Sequence, residues 1–135
     1  MRRGVTLPLA RRGLILPLAL LLMGQGAPDG LPRPRCDVGA GFAGLAEAER
    51  LAGQRVASLS EGRALGEALL AQLDPLPGRF AACGCTQLAE LLRDARDAAG
   101  PAASEASAAR ILQALEQARF RLRLARQGFS AMGCR

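Results

Sequence analysis

The stretch Ile111-Leu-Gln-Ala-Leu-Glu-Gln-Ala-Arg-Phe-Arg-Leu-Arg-Leu-Ala-Arg-Gln-Gly-Phe129 decides how the chain folds. Its apolar residues Ile111, Leu115, Ala118, Leu122, Ala125 and Phe129, continued by Met132, are spaced alternately by four and three. That spacing draws a continuous stripe along one side of an α-helix, as a helix packed on other helices requires. It predicts a long final helix over about 102–128.

Working back from it, three further segments carry a helical period. Leu88, Leu92, Ala95 and Ala99 form a stripe with Arg93, Asp94, Arg96 and Asp97 off it, and Gly100-Pro101 reads as the end of that helix. Leu65, Leu69 and Leu73 form another, with Ser60 as the expected N-cap, Glu61 in the first turn and Pro75 as the stop. Pro75-Leu76-Pro77-Gly78 then reads as a plain connection. Phe42, Leu45, Ala48, Ala52, Val56 and Leu59 mark the first helix, over roughly 41–58, which Gly41, Gly44 and Gly53 weaken. Four such segments with short connections predict an all-α protein, an antiparallel four-helix bundle made of two helical hairpins. The alternative is two hairpins that do not close on each other. A core without Trp or Tyr and rich in Leu and Ala suits close-packed helices better than sheets.

The first residues belong to targeting. Residues 1–12 carry Arg2, Arg3, Arg11 and Arg12 and no acid; Gly13 to Met23 is uncharged and apolar; small residues follow in Gly24-Gln25-Gly26-Ala27. This order is that of a secretory signal peptide, residues 1–26, and the apolar run is too short to span a bilayer. Residues 27–40 form a Pro-rich segment expected to be extended, and 41–135 the helical domain. Removing the four arginines of residues 1–26 takes the formal charge from +6 to +2, so the high pI is largely a property of the targeting segment and gives no ground for a nucleic-acid partner. All eighteen basic residues are arginine, which with the abundance of Ala, Gly and Leu points to a GC-rich, bacterial coding bias. The expected location is the periplasm or the extracellular space.

Cys36, Cys83, Cys85 and Cys134 all lie beyond the signal peptide. An even cysteine count in an exported chain is the setting for disulfides. In an up-down-up-down bundle two helices separate each site from the next, so all four fall at one end. Cys83 and Cys85, one residue apart, do not readily bridge each other. Two pairings remain, Cys36–Cys83 with Cys85–Cys134, or Cys36–Cys85 with Cys83–Cys134. The first is favoured because it staples each hairpin separately. It also fits a short internal echo: Phe80-Ala-Ala-Cys-Gly-Cys85 against Phe129-Ser-Ala-Met-Gly-Cys134, with Cys36, Cys85 and Cys134 each 49 residues apart. Four gathered thiols could instead hold zinc or copper(I), a metal-handling alternative, but Cys-Gly-Cys departs from the usual Cys-x₂₋₄-Cys spacing.

There is no His and no Lys, which removes the commonest general base, the His-based metal signatures and Schiff-base chemistry. Glu47, Glu49, Asp94 and Asp97 stand among arginines on faces expected to be wet. No enzyme and no cofactor is expected. On the last helix, Phe120 and Leu124 lie away from the stripe with Arg119, Arg121 and Arg123 around them. Phe120, Leu124, Arg119 and Arg123 thus form a candidate contact face for a protein partner, for self-association or for an anionic membrane surface.

Overall fold

The computed structural model describes residues 35–134, so the expected signal peptide and most of the expected Pro-rich segment lie outside the described residues. The helices are α1 (Val38–Ala52), α2 (Leu59–Leu73), α3 (Leu76–Ala82), α4 (Thr86–Ser104) and α5 (Ala108–Met132). Four long helices thus form the bundle and a short one, α3, sits between the hairpins. α5 packs on α4, α1 and α2, and α4 packs on α2, so the two hairpins close on each other as one bundle.

Helix ends follow their capping chemistry. α1 starts three residues earlier than the sequence reading placed it, because the Asp37 carboxylate accepts from the Ala40 N–H at 2.9 Å. It stops at Gly53 rather than near 58, and Gly53 N–H donates to the Glu49 carbonyl. The N-cap of α2 is Ser58, not Ser60. Its hydroxyl accepts from Glu61 N–H at 3.2 Å, and the Glu61 carboxylate accepts from Ala57 N–H at 2.9 Å. This is a reciprocal arrangement of the capping-box kind.

The prolines behave differently from expectation at two places. Pro75 ends α2 but also opens α3, whose first turn has no use for the N–H groups that Pro75 and Pro77 lack. The expected connection is therefore helical, and it buries Leu76 and Phe80 completely. Gly100-Pro101 does not end α4, which continues to Ser104. Proline disfavours helical geometry in the preceding residue partly through that residue's Cβ, and Gly100 has none. Ala102 just beyond is fully buried. α5 accordingly begins after the N-cap Ser107 rather than at 102.

The core takes most of the predicted residues, but Phe42 and Val56 are half-buried and Leu59 is exposed, because α1 ends at Ala52 and Leu59 opens α2 instead. Leu65, Leu69 and Leu73, Leu88, Leu92, Ala95 and Ala99, and Ile111, Leu115, Ala118, Leu122 and Ala125 are all buried. No polar or charged residue is buried among the described residues. Glycines in α1 and α2 mark close approach. An added Cβ on Gly44 would stand 2.5 Å from Leu76 Cδ2, and one on Gly41 would stand 2.8 Å from the Phe80 ring. These glycines weaken α1 locally and let α3 sink against it.

The offset of 49 residues relates α2 to α5, whereas the buried positions of α1 (41, 44, 45, 48 and 52) fall on exposed ones of α4 (90, 93, 94, 97 and 101). Positions 62, 65, 66, 69, 73 and 76 are buried, and so are 111, 114, 115, 118, 122 and 125. Ser58 and Ser107 are both N-caps. At the junction of the hairpins some neighbouring positions recur at this offset. Arg63 Nε donates to the Glu105 carbonyl at 2.9 Å, and the counterparts Leu112 and Val56 border one cavity. Gly66 abuts Ala102 and Ala103, while Leu115 borders a cavity with Gly53 and Gln54. Gly62 faces Ile111, its own counterpart.

Candidate functional site

Two features stand out, a covalent one at one end of the bundle and a surface one along α5. The covalent one is built by helix termini. Cys36 precedes α1, Cys83 follows α3, Cys85 is the N-cap residue of α4 and Cys134 follows α5. The disulfides are Cys36–Cys83 and Cys85–Cys134, with Cα separations of 4.7 and 4.3 Å. This is the pairing that staples each hairpin to itself. Gly84 lies between the two bonds with φ of 77°, a backbone shape glycine adopts without cost. It turns the chain between Cys83 and Cys85. Both of their N–H groups donate to the Phe80 carbonyl, at 3.0 and 2.9 Å. Cys85 is buried, Cys83 half-buried, and Cys36 and Cys134 are exposed.

An aromatic layer lies beneath. The Phe42 ring meets Phe80 edge-on with centroids 5.4 Å apart, and meets Phe129 at 4.4 Å. Phe80 and Phe129 are the two equivalent residues of the internal echo, so one ring of α1 bridges both hairpins directly under the staples.

With all four sulfurs paired, no cysteine among the described residues offers a thiolate to a metal ion. The metal alternative would require the reduced chain. Among the described residues no group of three or more Cys, Asp or Glu is arranged to hold a metal ion.

The surface feature is the outer side of α5. Phe120 is 51% exposed and Leu112, two turns earlier, 47%. Arg119 and Arg123 are exposed; Leu124 is half-buried rather than free. A groove of about 690 Å³ runs between α4 and α5 beside Phe120, bordered by Asp94, Asp97, Glu116, Gln117 and Arg121. Its acidity is the part sequence reasoning missed.

The charges nearby are held in surface pairs. Arg121 reaches Asp94 at 3.9 Å, Arg119 reaches Glu116 at 3.7 Å, and Arg126 binds Glu49 across to α1 with Nε 2.9 Å from Oε1. Arg96 bridges to Asp74 at 2.9 Å and touches Asp97 at 4.0 Å. On α1 the Arg50 guanidinium, hydrogen-bonded to Glu47 at 2.7 Å, holds that exposed carboxyl below its ordinary range. Exposed pairs like these contribute about 0–1 kcal/mol each and orient side chains more than they stabilise. The four carboxylates read as solvated faces are therefore solvated and paired. Among the described residues no helix is long and apolar enough to cross a membrane. No family model matches the chain, and no curated protein or solved structure does either.

Proposed function

We propose that this chain is a small exported protein, directed by residues 1–26 to the periplasm or extracellular space of a bacterium, with a structural or binding role and no catalytic one. It meets a protein partner through the outer face of α5. The observation that carries the reading is Phe120, a large apolar side chain half in solvent on a helix whose opposite side is locked into the core. An aromatic side chain framed by charged residues has the composition enriched at protein interfaces, which supports a contact patch. The disulfides support the exported location, since such bonds persist in oxidising compartments. The mixed charge around Phe120 favours a protein over an anionic membrane: Asp94, Asp97 and Glu116 would repel lipid headgroups that the arginines attract.

The test separates contact from stability. Phe120→Glu is expected to leave the thermal midpoint almost unchanged, within about 0.5 kcal/mol, as exposed substitutions usually do. A photo-crosslinking residue at position 120 is expected to capture a protein in the native compartment, and the same residue at the exposed Glu67 of α2 is not. A loss of several kcal/mol in Phe120→Glu, or equal capture from both positions, would overturn the contact-face reading.

A further inference from the structure

Residues 71 and 120 are counterparts at the offset of 49, and both are exposed, yet one is Ala and the other Phe. Likewise Asp74 stands where the second hairpin has Arg123. α2 and α5 share their buried positions but differ outside. The aromatic, charge-flanked strip belongs to the second hairpin alone.

The charges on either side of that strip are of opposite sign. At 100° per residue, Arg121 lies on the flank of α5 that faces α4, where it meets Asp94. Arg119 and Arg123 lie on the other flank, toward α1. Crossing the strip laterally therefore leads from an edge of net negative charge (Asp94 and Asp97 with Arg121), over Phe120, to an edge of net positive charge (Arg119 and Arg123 with Glu116).

Such a surface is self-complementary in one orientation. Two copies packed with α5 antiparallel, about an axis across the helix, would set acid over acid and base over base. Two copies packed in parallel, about a two-fold axis running along α5, set Phe120 on Phe120 and the basic edge of each over the acidic edge of the other. We infer that the outer face of α5 is an isologous interface for a second copy of this chain in that parallel arrangement. The inference rests on the reading of this face as a contact surface and names its occupant.

The test is sedimentation equilibrium of the protein isolated without reductant, over a range of concentrations. The wild type is expected to form a dimer and Phe120→Glu to remain monomeric. Arg123→Asp makes both edges acidic and Asp97→Arg makes both basic. Each is expected to weaken its own dimer at least about tenfold, since like charges are then opposed across the interface. Mixed together, the two variants are expected to recover a one-to-one dimer, because every opposed edge is again of opposite sign. A wild type that stays monomeric throughout would overturn the second copy as occupant; crosslinking at position 120 to a different protein would then still uphold the contact face. A dimer that Phe120→Glu does not weaken, or charge variants that fail to recover on mixing, would also overturn the inference.

Discussion

Reduction of Cys36–Cys83 and Cys85–Cys134 is expected to lower the thermal midpoint of this protein more than any single substitution. The two bonds link residues 47 and 49 positions apart. In the chain-entropy account, a closed loop of that length removes about 4 kcal/mol of freedom from the unfolded chain per bond. Small domains have only about 5–15 kcal/mol of stability in total. This core has no Trp or Tyr and is filled largely by Leu and Ala, so the bonds are a large share of what holds it. At roughly 4 °C per kcal/mol for a domain of this size, the midpoint should fall by at least about 15 °C on full reduction. Because each bond closes its own hairpin, removing one as a Cys→Ser pair should give an intermediate midpoint. Differential scanning calorimetry with and without reductant reads both effects. An unchanged midpoint would mean that the packed helices alone hold the fold.

Gly66→Ala is expected to destabilise the protein, reversing the usual sign. In an ordinary helix interior, replacing Gly by Ala stabilises by about 1 kcal/mol. At position 66 the added Cβ would stand 2.7 Å from the backbone carbon of Ala102 and the backbone nitrogen of Ala103, and 2.9 Å from the Ala102 Cβ. Backbone atoms of a packed helix cannot step aside as a flexible side chain can. α2 and α4 would have to separate, and overpacking of this kind costs about 1–3 kcal/mol. Gly78→Ala is the matched control. It too lies inside a helix, and a Cβ there meets nothing within 4 Å. It should gain part of the ordinary increment. Denaturant titration of the two variants should move the midpoints in opposite directions. A stabilised Gly66→Ala would show that α2 and α4 do not approach as closely as described.

The same positions show what could be read in advance. The stripe of α5 and the stripes of Leu65–Leu73 and Leu88–Ala99 were legible because burial of one side of a helix imposes its period on the sequence directly. The cysteine pairing was legible because counting helices between thiols places them at one end, and the internal echo favours one partner for each. The helix borders were less so. Gly100-Pro101 has the composition of a stop, but Gly66 across the interface gives α4 room to pack beyond it. Pro75 and Pro77 break one helix and suit the first turn of the next, a choice made by burial of Leu76 and Phe80. Ser58 as N-cap was within reach, since Ser58-Leu-Ser-Glu61 has the capping-box spacing that Ser60 lacks. On the surface, Phe120 was legible as an off-stripe apolar residue. The acidic edge beside it was not, because it depends on which helix lies against which flank of α5.

The central claim is an exported helical bundle stapled by two disulfides, one per hairpin. It is tested most directly by the mass of the protein isolated from its native compartment without reductant and treated with a thiol alkylator under denaturing conditions. The expected mass is that of residues 27–135, give or take a few residues at the cleavage point, with two disulfides and no alkylated cysteine. The Cys36→Ser, Cys83→Ser double variant should likewise carry no alkylated cysteine, and the Cys36→Ser, Cys85→Ser double variant should carry two or a rearranged bond. A full-length chain with four alkylated cysteines would contradict both the export and the staples.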